Sequence, residues 1–74
     1  MSPLQKAIRL RAEIRRTYNR TKKRATHMYK RSFTDEDSDS YDRAHELDGE
    51  LTGLAFGHAI ACEMVEFLRK ERAR

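Results

Sequence analysis

The sequence predicts an all-α protein, an antiparallel two-helix hairpin that dimerises into a four-helix bundle. Two long stretches carry apolar residues at alternating steps of three and four, the period of a helix face. A run of serine and acidic residues separates them. The chain of 74 residues has only three glycines and one proline, too few turn-forming residues for a sheet.

Helix 1 is expected over about residues 3–31. Ser2 before Pro3 marks its start: the serine oxygen can accept an early backbone N–H, and proline at the first helical position lacks a donor that would be orphaned there. From Leu4 to Arg31 there is no glycine and no further proline. Leu4, Ala7, Arg11, Ile14, Tyr18, Thr21, Ala25 and Met28 form its apolar seam, which Arg11 and Thr21 interrupt. Such a helix is about 40 Å long at a rise of about 1.5 Å per residue.

Residues 32–40, Ser-Phe-Thr-Asp-Glu-Asp-Ser-Asp-Ser, are expected to form an acidic loop, because short polar side chains compete for their own backbone. Helix 2 could start at Ser38 or Ser40 and is expected over about 40–71. An earlier start would use Thr34 as cap, with Asp35, Glu36 and Asp37 in the first turn, where the helix dipole favours negative charge. Its seam is Ala44, Leu47, Leu51, Leu54, His58, Ala61, Val65 and Leu68, and Arg69, Lys70 and Arg72 suit its negative end. Laid antiparallel, the seams oppose Met28 to Ala44, Ala25 to Leu47, Thr21 to Leu51, Tyr18 to Leu54, Ile14 to His58 and Leu4 to Leu68. Residues 1–74 thus read as a single helical-hairpin domain.

A second apolar stripe, Phe56, Ile60, Met64 and Phe67, lies on a different face of helix 2, and Ile8 and Leu10 extend beyond the seam of helix 1. A helix apolar nearly all round is usually buried all round. Two helices cannot bury it, so a homodimer is expected, with helix 2 nearer the centre. A hairpin of this size is marginal alone, since a chain this short buries only about 60% of its unfolded surface. Gly49, Gly53 and Gly57, followed by Ala61, repeat every fourth residue. Each glycine costs about 0.5–1 kcal/mol relative to alanine in a helix, and close approach of another helix is the expected compensation. Gly53, Phe56, Gly57, Ile60, Met64 and Phe67 are therefore the expected oligomer or partner interface.

The net charge of +4 is unevenly spread. Residues 1–31 hold eleven Lys/Arg against Glu13, a balance of +10, which leaves −6 for residues 32–74. Arg15, Arg16, Arg20, Lys22, Lys23, Arg24, Lys30 and Arg31, interleaved with Tyr18, His27 and Tyr29, form a surface that can track phosphates while aromatics stack on bases. Nucleic acid is the expected partner, contacted through Arg15, Arg16, Arg20, Lys23, Arg24 and Arg31, without sequence-specific reading. The bland reading is that Asp35, Glu36, Asp37, Asp39, Asp42, Glu46, Asp48 and Glu50, near the same end, neutralise this surface across the hairpin. That acidic run could also mimic phosphates, though capping and solubility explain it more simply. The alternative function is a protein-interaction module, an adaptor or inhibitor of a larger partner of the kind that mobile elements encode in small genes.

Catalysis is not expected. The sequence has no glycine-rich phosphate loop, no nucleophile flanked by a base and an orienting acid, and no clustered metal ligands. His58 and Cys62 could share a metal ion at their spacing of four, but a structural zinc needs four ligands, and a packed histidine is the simpler reading. Glu63 and Glu66 read as ordinary ion-pair partners of Arg69 and Lys70. No cofactor or metal is expected. Cys62 is the only cysteine, which fits a reducing compartment. With no signal-peptide pattern and no apolar run of roughly 18 residues, a cytoplasmic protein without membrane insertion is expected.

Overall fold

A computed structural model of the chain describes residues 1–35 and 38–73. Two helices, α1 over Pro3–Asp35 and α2 over Ser38–Ala73, make up the fold, with no strand among the described residues. They pack antiparallel into a rod measuring 58 × 17 × 12 Å.

The start of α1 carries both halves of a capping box. Ser2 Oγ accepts the Gln5 N–H at 3.1 Å, and Gln5 Oε1 accepts the Ser2 N–H at 2.9 Å, so two donors at the helix start are satisfied reciprocally. The Lys6 N–H reaches the Ser2 carbonyl at 3.0 Å. The expected start at Ser2–Pro3 therefore holds, and Gln5 completes it.

The expected acidic loop is largely helix. α1 continues to Asp35 and α2 begins at Ser38. The reason lies in where the hydroxyls bond: Ser32 Oγ donates to the Tyr29 carbonyl at 2.7 Å and Thr34 Oγ1 to the Lys30 carbonyl at 3.0 Å. Bonding back to the preceding turn satisfies these side chains without breaking the helix. Thr34 lies inside α1 instead of capping α2. Asp39 occupies the first turn of α2, and Lys70 and Arg72 its last turn; Glu36 and Asp37 lie outside the described residues.

Every seam position of both helices is buried or half-buried. Ala7, Ala25, Ala44, Leu47, Ala61 and Val65 form the apolar core, with Leu47 and Val65 fully enclosed. Thr21 is buried among them and Arg11 is half-buried. Small residues at many of these positions let the helices approach closely along their length. The register is fixed at both ends: Leu4 and Leu68 line one shallow groove near the termini, and Tyr29 meets Tyr41, His45 and Asp48 near the reversal.

The outside of the two helices differs. α1 is mostly polar outside its seam, with Leu10 and Phe33 as exposed exceptions. α2 is apolar on two faces, and Phe56, Ile60, Met64 and Phe67 are 69%, 59%, 48% and 62% exposed. This composition corrects the expectation that no stretch approaches the length and apolarity of a membrane span. Within Asp39–Ala73 an 18-residue window reaches a mean hydropathy of 1.3 with only 11% of it buried. Glycines and alanines between large apolar residues produce it, since they lower polarity without forming an unbroken hydrophobic run.

Candidate nucleic-acid interface and the outer face of α2

Successive residues of a helix are turned by about 100°, so steps of three and four return to one face. On α1 the row Arg16, Arg20, Lys23, His27 and Lys30 keeps those steps on the side away from the seam, and all five are exposed. Arg9 continues the row toward the N-terminus, and Arg24 and Arg31 flank it. The row from Arg16 to Lys30 is about 21 Å long. Asn19, Lys22, Lys23, Thr26, His27 and Lys30 line a shallow, open concavity along its side.

Five of the six nominated cations, Arg16, Arg20, Lys23, Arg24 and Arg31, fall within this outward band. Arg15 does not: it lines a separate groove with Tyr18, Asn19, Ala55 and His58 at the flank of the helix pair. Lys30 and His27 belong to the row and were not nominated; extending the three-four spacing outward from Arg16 finds them.

Neutralisation across the hairpin is limited. Arg15, Arg16, Arg20, Lys22, Lys23, Arg24 and Lys30 make no ion pair with any carboxylate among the described residues. Arg20 instead reaches the Thr17 hydroxyl on its own helix at 3.4 Å. Two acids of α2 are used elsewhere: Glu46 pairs with Arg43 at 2.8 Å, and Asp48 accepts the Tyr29 hydroxyl. The expected pairs from Glu63 and Glu66 to Arg69 and Lys70 are not formed; exposed ion pairs contribute little and do not hold long side chains in place.

The aromatic part of the expectation changes. Tyr18 is half-buried on the seam and Tyr29 is half-buried at the helix junction, so both rings are partly engaged within the hairpin. The Tyr29 ring meets Tyr41 and His45 edge-on at 6.0 Å, and Tyr41 meets His45 at 4.5 Å. The Tyr29 hydroxyl donates to Asp48, which pushes its pKa up to about 12, chiefly because ionisation would end that hydrogen bond. Only His27 is left exposed among the interleaved rings. Sequence reasoning did not identify this four-residue junction, although Tyr29 and Asp48 each adjoin a seam residue.

On α2, Gly53, Phe56, Ile60, Met64 and Phe67 share an outer row roughly 150° from the seam. Gly49 extends it, and a Cβ added at Gly49 or Gly53 would meet nothing within 4 Å. These two glycines therefore do not serve close packing inside the hairpin, and lie on the face expected to meet an oligomer or partner. Gly57 differs: it is half-buried, and an added Cβ would lie 3.9 Å from Ile14 Cδ1. Gly57 thus faces α1 rather than the outer row.

His58 and Cys62 are both half-buried, with Cys62 Sγ 3.8 Å from His58 Nδ1 and 4.0 Å from Nε2. Among the described residues no group of three or more His, Cys, Asp or Glu side chains is placed to hold a metal ion. No protein-family model matches the chain, and neither does any curated protein or solved structure.

Proposed function

We propose that this chain is a small, non-enzymatic, cytoplasmic helical protein that binds the phosphate backbone of nucleic acid and works as a pair of hairpins forming a four-helix assembly. The observation that carries the reading is the outward row Arg16, Arg20, Lys23, His27 and Lys30, whose arginines and lysines have no carboxylate partner among the described residues. Cations fixed on a rigid helix at intervals of about 5 Å neutralise successive phosphates and release their counterions. With Tyr18 and Tyr29 engaged in the hairpin, His27 is the one interleaved ring left to stack on a base, and cations carry most of the binding. Contact is therefore electrostatic, indifferent to base sequence and strongly dependent on salt.

The test is a fluorescence-anisotropy titration against labelled duplex DNA, single-stranded DNA and structured RNA at two salt concentrations. Salt-sensitive binding that is lost when Arg16, Arg20 and Arg24 are changed together to glutamine supports the assignment. Affinity unchanged by that substitution, or no binding at low salt, rejects it.

The protein-interaction reading is favoured by one observation, the exposed row Phe56, Ile60, Met64 and Phe67. A larger partner seated there would be captured without nucleic acid, and Phe56→Glu would abolish the capture.

A further inference from the structure

The outer row of α2 has a bulky half and a bare half. Phe56, Ile60, Met64 and Phe67 project from it and are largely exposed. Stepping back along the row by three and then four residues reaches Gly53 and Gly49, where nothing stands within 4 Å of an added Cβ. Ridge and trough thus lie end to end on one helix face.

We infer that the occupant of this face is a second copy of the chain, packed antiparallel so that the Phe67 end of each α2 lies over the glycines of the other. This rests on the self-association proposed above and specifies its geometry. With a two-fold axis near position 58, Phe56 opposes the partner's Ile60, and by the same register Phe67 opposes the partner's Gly49. Met64 then falls beside the partner's Gly53. A parallel pair would instead stack Phe67 on Phe67 and set bare backbone against bare backbone. That arrangement crowds one end and leaves a void at the other, and close-packed interfaces tolerate neither.

Charge and area agree with this choice. The N-terminal third of α2 carries Asp39, Asp42, Glu46, Asp48 and Glu50 against Arg43, whereas its last turns carry Arg69, Lys70 and Arg72 against Glu71. Antiparallel pairing opposes the helix dipoles and brings the end with Arg69, Lys70 and Arg72 near the partner's acidic end, although on the row itself Glu71 then falls beside the partner's Glu46 and Arg72 lines the groove toward α1. Taking roughly 175–200 Å² for each full side chain, the four apolar residues expose about 450 Å² per copy, or about 900 Å² for a pair. The backbone of the bare half adds to this, which brings the contact to the roughly 1,000 Å² of a specific interface. A lipid surface fits less well. Glu46 and Glu63 border the row, and the cations of α1 point the other way, so an anionic headgroup layer would be repelled.

The arrangement differs from a square bundle. Because seam and outer row lie on nearly opposite sides of α2, the helices fall in a row, α1 and α2 of one copy followed by α2 and α1 of the next.

The experiment needs no nucleic acid, so it fails or succeeds independently of the polyanion reading. Wild-type protein is sized by light scattering, with twice the chain mass of 8.7 kDa expected. Ile60→Glu is expected to remove the dimer, and since a lone hairpin is marginal, a second measurement uses the folded pair. In a Cys62→Ser background, Gly49→Cys and Phe67→Cys are each oxidised alone and as a mixture. The mixture is expected to give the 49–67 cross-linked dimer, and each variant alone little. A cross-link by Gly49→Cys alone would show parallel pairing and overturn the inference. A folded wild-type monomer, or co-sedimentation with neutral or anionic vesicles in place of self-association, would overturn it as well.

Discussion

Replacing Arg16, Arg20 and Arg24 together with glutamine removes three positive charges from within about 12 Å of one helix face. All three side chains are exposed and lack a carboxylate partner among the described residues, so no internal ion pair is lost and helical propensity hardly changes. Stability should move by no more than about 0.5 kcal/mol. Binding should change far more. If each arginine neutralises one phosphate of duplex DNA, the slope of log K against log salt becomes shallower by about 2.7. Raising salt from about 50 to about 200 mM then weakens the wild type by roughly 40-fold more than the variant. The assay is anisotropy over a salt series, with Arg69, Lys70 and Arg72 changed to glutamine as a control for net charge. Since those three lie at the far end of α2, their loss should leave most of the slope intact. An equal change in slope for both triple variants would mean that overall charge, and not the row on α1, governs association.

Leu47 is 0% exposed on the seam, so Leu47→Ala should cost about 2–5 kcal/mol in a denaturant titration; a loss under about 1 kcal/mol would place Leu47 outside the core. Tyr29 should ionise late, near its raised pKa of about 12, and ultraviolet phenolate absorbance reads this directly. The folded state favours the neutral phenol, so the stability this group contributes is complete below the ordinary tyrosine pKa of about 10 and is lost as pH rises toward 12. Tyr29→Phe should remove that late-titrating component, and an unchanged titration curve would assign it to another tyrosine. Gly49→Ala separates the two helix contacts of α2. Within the hairpin nothing obstructs the new methyl group, so α2 should be stabilised by up to about 1 kcal/mol. It also fills the trough proposed to receive Phe67, so dimer dissociation in a dilution series should become easier. Tighter dimerisation would contradict the register.

The seam of each helix was legible because burial of an amphipathic face leaves a regular imprint, and Arg11 and Thr21 followed the period despite their polarity. The start of α1 was legible too, since the Ser2 hydroxyl and the Pro3 ring act on the first turn beside them. The end of α1 was not. Ser32 and Thr34 can cap a new helix or bond back to the turn behind them, and only the surrounding helix decides between these nearly equal options. The glycine row has a related limit: its spacing announces a bare face without saying which neighbour approaches, and Gly57, grouped with the outer interface, turns toward Ile14 of α1 instead. Of the charged surface, the spacing identified most of the outward band on α1. Arg15 was grouped with it because adjacency in sequence hides a turn of about 100°. The engagement of Tyr18 and Tyr29 within the hairpin depended on contacts between helices that alternating patterns do not encode.

The placement of the cationic row opposite the seam of α1 has a consequence for stoichiometry. In a pair joined through the outer rows of α2, the two α1 helices are outermost and their cations point away from each other. Such a pair cannot close both rows on one duplex. It would tie two segments together, and its effect would depend on the ratio of protein to nucleic acid. Scarce protein leaves most strands untied, matched amounts draw them into large bodies that scatter light, and excess protein coats each strand separately and disperses them again.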